Sequence, residues 1–395
     1  MNVILGKDTA RMATPRPSDL ADLRRRLHAL AEVSGREETT AAFVAEALAS
    51  LQPDELLTGL GGHGVAAVFS GPGSGPTVML RAELDALPIP ETLDIDHASF
   101  SPGVAHKCGH DGHMAILLGT AERLAARPPA CGRCVLVFQP AEETGQGAAA
   151  LLADPRFGAL KPDWIFALHN LPGHPEGAIL LKEGAFAAGS AGVTIRLTGR
   201  TSHAAYPEQG RSPDRAVARL ILDLINLPDR RRDSGRLALV TIVHTRIGER
   251  SFGITPGEAE VLATVRSDDD EVMAELMEGA KLAASAAAAD HGLACTVSFS
   301  EEFPVTWNDP AAVRIVARAA GDLGLPVIEP RESPFRWSED FGHLAALGRG
   351  AMIGLGAGEE HPVLHAPDFD FNDALLPVGV GLLEEIILEL MRTPR

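Results

Sequence analysis

The chain has 395 residues, 45% hydrophobic and 22% charged, enough material for two or three domains with buried cores. Lys and Arg total 35 against 53 Asp and Glu, and the resulting formal charge of −18 excludes a basic nucleic-acid footprint and a polybasic membrane signal. One Tyr and three Trp make no stacking platform for single strands, and four Cys are too few for a disulfide framework.

Residues 1–20 lack the sustained apolar core of a secretory leader. No apolar run reaches the roughly 18 residues of a membrane span. A cytoplasmic location is therefore expected. Helical periodicity fills 19–51, with a break at Gly35. A Gly/Pro turn at 72–76 leads into a buried strand at 77–81, which ends in the polar loop AELDALPIP. Met114, Leu117, Leu118, Ala121, Leu124 and Ala125 share one helical face. A strand at 133–139, the loop PAEETGQG, a helix near 148–153 and a strand at 164–168 follow. Strands alternating with helices predict a largely parallel sheet covered on both faces.

From about Gly192 the rhythm changes. The strand GVTIRLT precedes a helix with Ser212 as N-cap, Pro213 at its first position and Val217, Leu220, Ile221 and Leu224 on its apolar face. Strands at 237–247 and 258–266, an acid-led helix over 268–290 and a strand at 293–299 complete a β-α-β-β-α-β order, the ferredoxin-like signature. The βα rhythm then returns. The expected architecture is one α/β domain, 1–189 and 303–395, with a mostly parallel mixed sheet flanked by helices and an α+β domain inserted at 190–302.

Three strand ends carry metal-type side chains. The run His106-Lys107-Cys108-Gly109-His110-Asp111-Gly112-His113 precedes the Met114 helix; Glu142-Glu143 and His169 each follow a strand. His365 adds a distant fourth candidate. A lone His is usually a polar loop residue and a Glu pair a solvated face, but their convergence on strand ends argues for a site. Cys108, His110, Glu143, His169 and His365 are five ligands, too many for one catalytic ion with an open position. They suit two ions bridged by Cys108, with zinc or manganese expected and cobalt or nickel as further options. Glu142 is then left to take a proton from the water at the ions and pass it to a leaving nitrogen.

RAELDALPI, HKCGHDGH, FQPAEE, LHN, SHAAYP, SEDFG and LHAPDFDFND occur in this order from residue 81 to residue 373. Together they resemble the M20 metallopeptidase and amidohydrolase family, in its branch of hippurate hydrolases, N-acyl-amino-acid amidohydrolases and auxin-conjugate hydrolases. The resemblance implies a catalytic domain holding two divalent ions, the ligands named above, Glu142 as general base, and the 190–302 insert as a lid and dimerisation domain. It places His203 of the insert at the developing oxyanion, and Arg266 at the substrate's carboxylate or carbonyl. Relatives often carry Asn where Gly253 stands, so the resemblance does not fix the acyl group or the amino acid of the substrate. Asp85 reads as a support or a structural acid, and Asp111 as an orienter of His110 or a helix cap. His106 and His113 read as supports beside the site. The expected reaction is hydrolysis of the amide of an N-acyl amino acid or small peptide-like conjugate. Dipeptidase or carboxypeptidase action on the same site, and a non-catalytic metal-binding protein, are the competing readings. Cys131-x-x-Cys134 formally matches a redox motif but precedes a strand rather than opening a helix. A homodimer or higher homo-oligomer with no nucleic-acid or membrane partner is expected.

Overall fold

The computed structural model describes residues 19–229, 235–330 and 334–392; the first 18 residues, which bear most of the leader reading, lie outside them. An eight-stranded sheet forms the main body, in the order Glu55–Leu60, Gly64–Ser70, Arg133–Gln139, Thr77–Glu83, Trp164–Leu171, Arg349–Gly356, Ile179–Leu180, Val327–Ile328. Arg133–Gln139, Thr77–Glu83, Trp164–Leu171 and Arg349–Gly356 run parallel at its centre, and antiparallel pairs flank them.

These central strands are apolar on both faces, as parallel strands under two helix layers must be. Leu80, Leu136 and Phe138 face a core shared with Leu117, Leu118, Leu383 and Ile386 from helices His110–Ala126 and Leu375–Leu390. Met79, Val135 and Val137 face the opposite core, with Leu151 of Gly147–Ala153 and Phe341 and Leu344 of Phe341–Ala345. Helix His110–Ala126 starts four residues before the predicted apolar face, because its polar first turn carries no apolar periodicity.

Between Gly189 and Phe303 a second, four-stranded antiparallel sheet runs in the order Ala238–Ile247, Glu258–Ser267, Gly189–Thr198, Ala294–Phe303. Helices Asp214–Ile225 and Asp270–Asp290 cover one face. Val193, Ile195, Val261 and Val265 alternate inward to meet Leu220, Leu224, Leu276, Ala280 and Ala284. Pro213, rather than Ser212, occupies the N-cap of Asp214–Ile225; the Ser212 hydroxyl accepts the Asp214 N–H at 3.4 Å. In Asp270–Asp290 the Asp269 carboxylate caps the amides of Glu271 and Val272.

Ile195 lies at the centre of this second core and is fully buried. Replacing it with Ala is expected to destabilise the chain by about 2–5 kcal/mol. Urea unfolding measures that loss.

Candidate metal centre

The carboxyl ends of the central parallel strands converge on one spot, as α/β sheets arrange their ligand crevices. Thr77–Glu83 delivers Glu83 and then Asp85; Arg133–Gln139 delivers Glu142 and Glu143; His169 lies within Trp164–Leu171, which extends past its predicted end. Helix His110–Ala126 opens on His110, with Gly109 at its N-cap in a left-handed conformation, φ +95°. A Cβ there would lie 2.4 Å from Asn170 Oδ1, so both backbone and space demand glycine. His365 is itself left-handed, φ +64°, in the loop before Leu375–Leu390.

Ligand atoms of Cys108, His110 and His169 lie within 4.8 Å of one another, and so do those of Cys108, Glu143 and His365. Cys108 belongs to both groups. Its Sγ is 3.5 Å from His169 Nε2; Glu143 is 3.8 Å from both His110 Nε2 and His365 Nε2. Glu142 Oε2 stands 3.8 Å from the same His110 nitrogen. Six predicted residues thus meet in one place.

His110 Nδ1 is 2.8 Å from the Asp85 carbonyl, and His169 Nδ1 is 2.9 Å from the Asn170 carbonyl. A carbonyl only accepts, so each Nδ1 holds a proton, and in the neutral ring each Nε2 turns a lone pair toward the cluster. His110 Nε2 and Glu143 Oε1 are buried without a hydrogen-bond partner. Such orphaned atoms are costly unless something binds them. Burial, then the Glu143 and Glu142 carboxylates, push the Cys108 thiol far up. Burial also raises Glu143 to about 7, against the opposing His110. Burial, then His113, holds His169 well below the imidazole range, whereas Glu83 and Asp85 outweigh burial and raise His110 to about 10. Bound divalent cations would invert this balance, keeping the thiol deprotonated and the imidazoles neutral. The donor set fits them.

A family model for peptidase family M20/M25/M40 matches residues 79–389. The chain belongs to this family. It is a hydrolase. This M20 chain is 31% identical to a hippurate hydrolase of Campylobacter jejuni over 94% of its own length and 96% of the relative's. It is also 31% identical to an N-acetyl-L-cysteine deacetylase of Bacillus subtilis, over 90% of its length and 84% of the relative's. A solved Bacillus subtilis structure, described as a dinuclear metal-binding peptidase of family M20, superposes with a TM-score of 0.80 at 29% identity, covering 96% and 99% of the two chains.

In the M20 chain His203 and Arg266 belong to neither of the two ligand groups above. His203 is exposed on a short strand paired to Ile254–Thr255, its Nδ1 accepting the Ala205 N–H at 3.0 Å. The Gly253 carbonyl accepts the Ala204 N–H at 3.0 Å, so Gly253 steadies the His203 turn through its backbone. Arg266 is half-buried and donates to Ser338 Oγ at 2.8 Å and the Arg336 carbonyl at 3.0 Å, which links the second sheet to the SEDFG segment. Cys134 lies in the main core, where burial pushes its thiol up, the reverse of a reactive cysteine.

Sequence reasoning names His106, His113 and Asp85 as supports, but most of the residues around them were hidden from it. Glu83 takes His113 Nδ1 at 2.8 Å, and His113 Nε2 meets Asn170 Oδ1 at 2.7 Å, behind His169. The Asp85 carboxylate accepts the Glu143 N–H at 3.0 Å and the Ser34 hydroxyl at 2.7 Å. Arg81, fully buried, is ion-paired to Glu83, Glu339 and Asp340 beneath Glu142. Trp337 lies 5.7 Å from the His169 ring and stacks on Phe335. His106 is buried with neither ring nitrogen bonded, and burial drives its pKa down to about 3. Asp111 neither orients His110 nor caps the helix. Its Oδ2 takes His28 Nδ1 at 2.9 Å and Arg24 Nη1 at 3.4 Å, because the first helix inserts both side chains behind the site.

Gly109→Ala is expected to cost at least about 1–2 kcal/mol, from its left-handed backbone alone. The Asn170 clash should weaken zinc binding as well, and urea unfolding with zinc titration reads both. Burial alone would lower the His28 pKa, but Asp111 and Glu91 outweigh it and raise it. Its stabilising share is therefore full below the unfolded pKa of about 6.5 and is lost as pH rises through the folded value. The stability cost of His28→Gln should shrink as pH rises above about 6, followed by urea unfolding.

Proposed function

We propose that this chain hydrolyses the amide bond of N-acyl amino acids or small peptide-like conjugates, releasing a carboxylic acid and an amino acid. The convergence of the unpartnered His110 Nε2 and Glu143 Oε1 with Cys108, beside a buried Glu142, carries this reading. Cys108, His110 and His169 would hold one divalent ion, and Cys108, Glu143 and His365 a second, with Cys108 shared. A thiolate, imidazoles and a carboxylate suit zinc or manganese better than magnesium or calcium. Two such ions supply Lewis acidity and a lowered water pKa.

The residues of the chain do the rest. Glu142 takes the proton of the attacking water at its carboxylate and gives it to the leaving nitrogen, so the amide C–N bond breaks as the new C–O bond forms. Burial, then Glu339 and Glu143, raise its proton affinity, which suits both halves of that transfer. Arg266 binds the substrate carboxylate by a charge-assisted fork, and His203 donates to the oxyanion once the insert closes as a lid. On this reading residues 190–302 are the lid and dimerisation domain, and 1–189 with 303–395 the catalytic domain. Exposed Leu222 and Ile225 on Asp214–Ile225, and Val243 on the outermost strand, support pairing with a second copy. Four free cysteines suit a reducing cytoplasm, and no helix among the described residues is long and apolar enough to cross a membrane.

Metal-replete Glu142→Ala is expected to lose about 10²–10⁴-fold in kcat on N-acetyl and N-benzoyl amino acids while still binding two ions. His203→Ala should lose about 10²–10³-fold in kcat. Arg266→Ala should act mainly on KM, about tenfold. Unchanged turnover in Glu142→Ala overturns the mechanism; a preference for free dipeptides moves the substrate class to peptides.

A further inference from the structure

The two ligand groups are built differently. His110 opens a helix and His169 sits in a central strand, so regular backbone fixes both. His365 rests on a loop, half-exposed and in a left-handed conformation, where only local contacts hold it. Its amide N–H donates to the Lys107 carbonyl at 2.8 Å. The side chain of Lys107 is fully buried, and its Nζ donates to the Phe369 carbonyl at 2.8 Å and to Glu91 Oε1 at 2.6 Å. Lys107 therefore grips the His365 loop at both ends, by its own backbone and by its ammonium, and it is bonded directly to Cys108 in the chain. Glu91 in turn accepts from His28, which anchors the grip to the first helix.

A buried ammonium in a protein interior is retained only when paired and hydrogen-bonded. Nothing in the proposed chemistry needs this one: it bonds to the supports of the loop and not to the ligand atoms. We propose that Lys107 is a positioning residue for the Cys108–Glu143–His365 half of the site, and that it sets the affinity of that half for a divalent ion. The proposal rests on the two-ion reading above. It assigns Lys107 no contact with substrate. Residues that orient metal ligands typically change affinity by about 10–100-fold when removed.

Cobalt(II) and zinc titrations of the full chain test it, followed by calorimetry and by the thiolate-to-cobalt absorption of Cys108. Lys107→Met keeps the aliphatic stem and removes the grip. One ion should bind it with wild-type affinity and the second about 10–100-fold more weakly. His365→Ala should show the same split, and adding Lys107→Met to it should weaken neither ion further. Lys107→Arg, which keeps the charge, should recover most of the second affinity. Should Lys107→Met not accumulate folded, Glu91→Gln loosens the same ammonium and should weaken the second ion alone. Two undiminished affinities in either folded variant, or equal weakening of both ions, overturn the proposal while leaving the two-ion reading intact. A wild-type chain that binds a single ion overturns both.

Discussion

Buried negative charge at the carboxyl edge of the sheet is the constraint on which the rest of this structure depends. Glu83, Asp85, Glu142, Glu339 and Asp340 are buried there, with Glu143 beside them. Arg81 pairs with three of these acids, and the six still outnumber the cations set among them. Against burial, Arg81 and His113 hold Glu83 low and His110 holds Asp85 low, but others among the acids rise. Burial raises Glu143 to about 7 and Asp340 to about 8, the latter aided by Glu339. Packed sheet strands hold these carboxylates where water cannot relieve them, so the edge favours cationic partners. The hydrolase chemistry proposed for the site uses that demand. Ions bound for reasons of charge balance are also the ions that would polarise an amide.

Much of this was legible in the sequence. Arg133–Gln139 was recognisable as a buried strand from its own apolar residues, and its edges match. Most of the residues that meet at the sheet edge were legible because metal-type side chains cluster in sequence near strand ends; His365 was legible only as a distant candidate. The insert was legible because alternating strands and two amphipathic helices changed the rhythm between Gly189 and Phe303. The hidden part is long-range. Arg24 meets Asp370 and Asp373, more than 340 residues away, and no local pattern announces a buried arginine in an amphipathic first helix. Asp111 follows a candidate ligand directly, so proximity suggested a helper for His110; the first helix claims it instead. The sequence assigns Lys107 no role within the His106–His113 run, and only the fold reveals that it is enclosed.

The second sheet connects to the first by more than its two chain crossings. Arg266 reaches across to Ser338 and Arg336, the residues on either side of Trp337, whose ring lies against His169. These bonds join the second sheet to the segment that carries Glu339 and Asp340. Gly253 contributes through its carbonyl, and nothing lies within 4 Å of where its Cβ would be. Space beside the His203 turn is thus open, where a larger residue would have filled it.

The site is consequently held by two kinds of order. Secondary structure fixes His110 and His169, whose positions survive as long as the sheet and the helix do. A lattice of buried ions fixes the loops: Arg24 with Asp111, Asp370 and Asp373, and His28 with Asp111 and Glu91. Glu91 extends the lattice to Lys107, which holds the loop of His365. Ion lattices of this kind add little net stability compared with apolar packing, but removing one member leaves others buried and unpaired. Their value here is geometric. They place an irregular loop beside a regular sheet to hydrogen-bond precision, where apolar contacts, which lack direction, would let it slide.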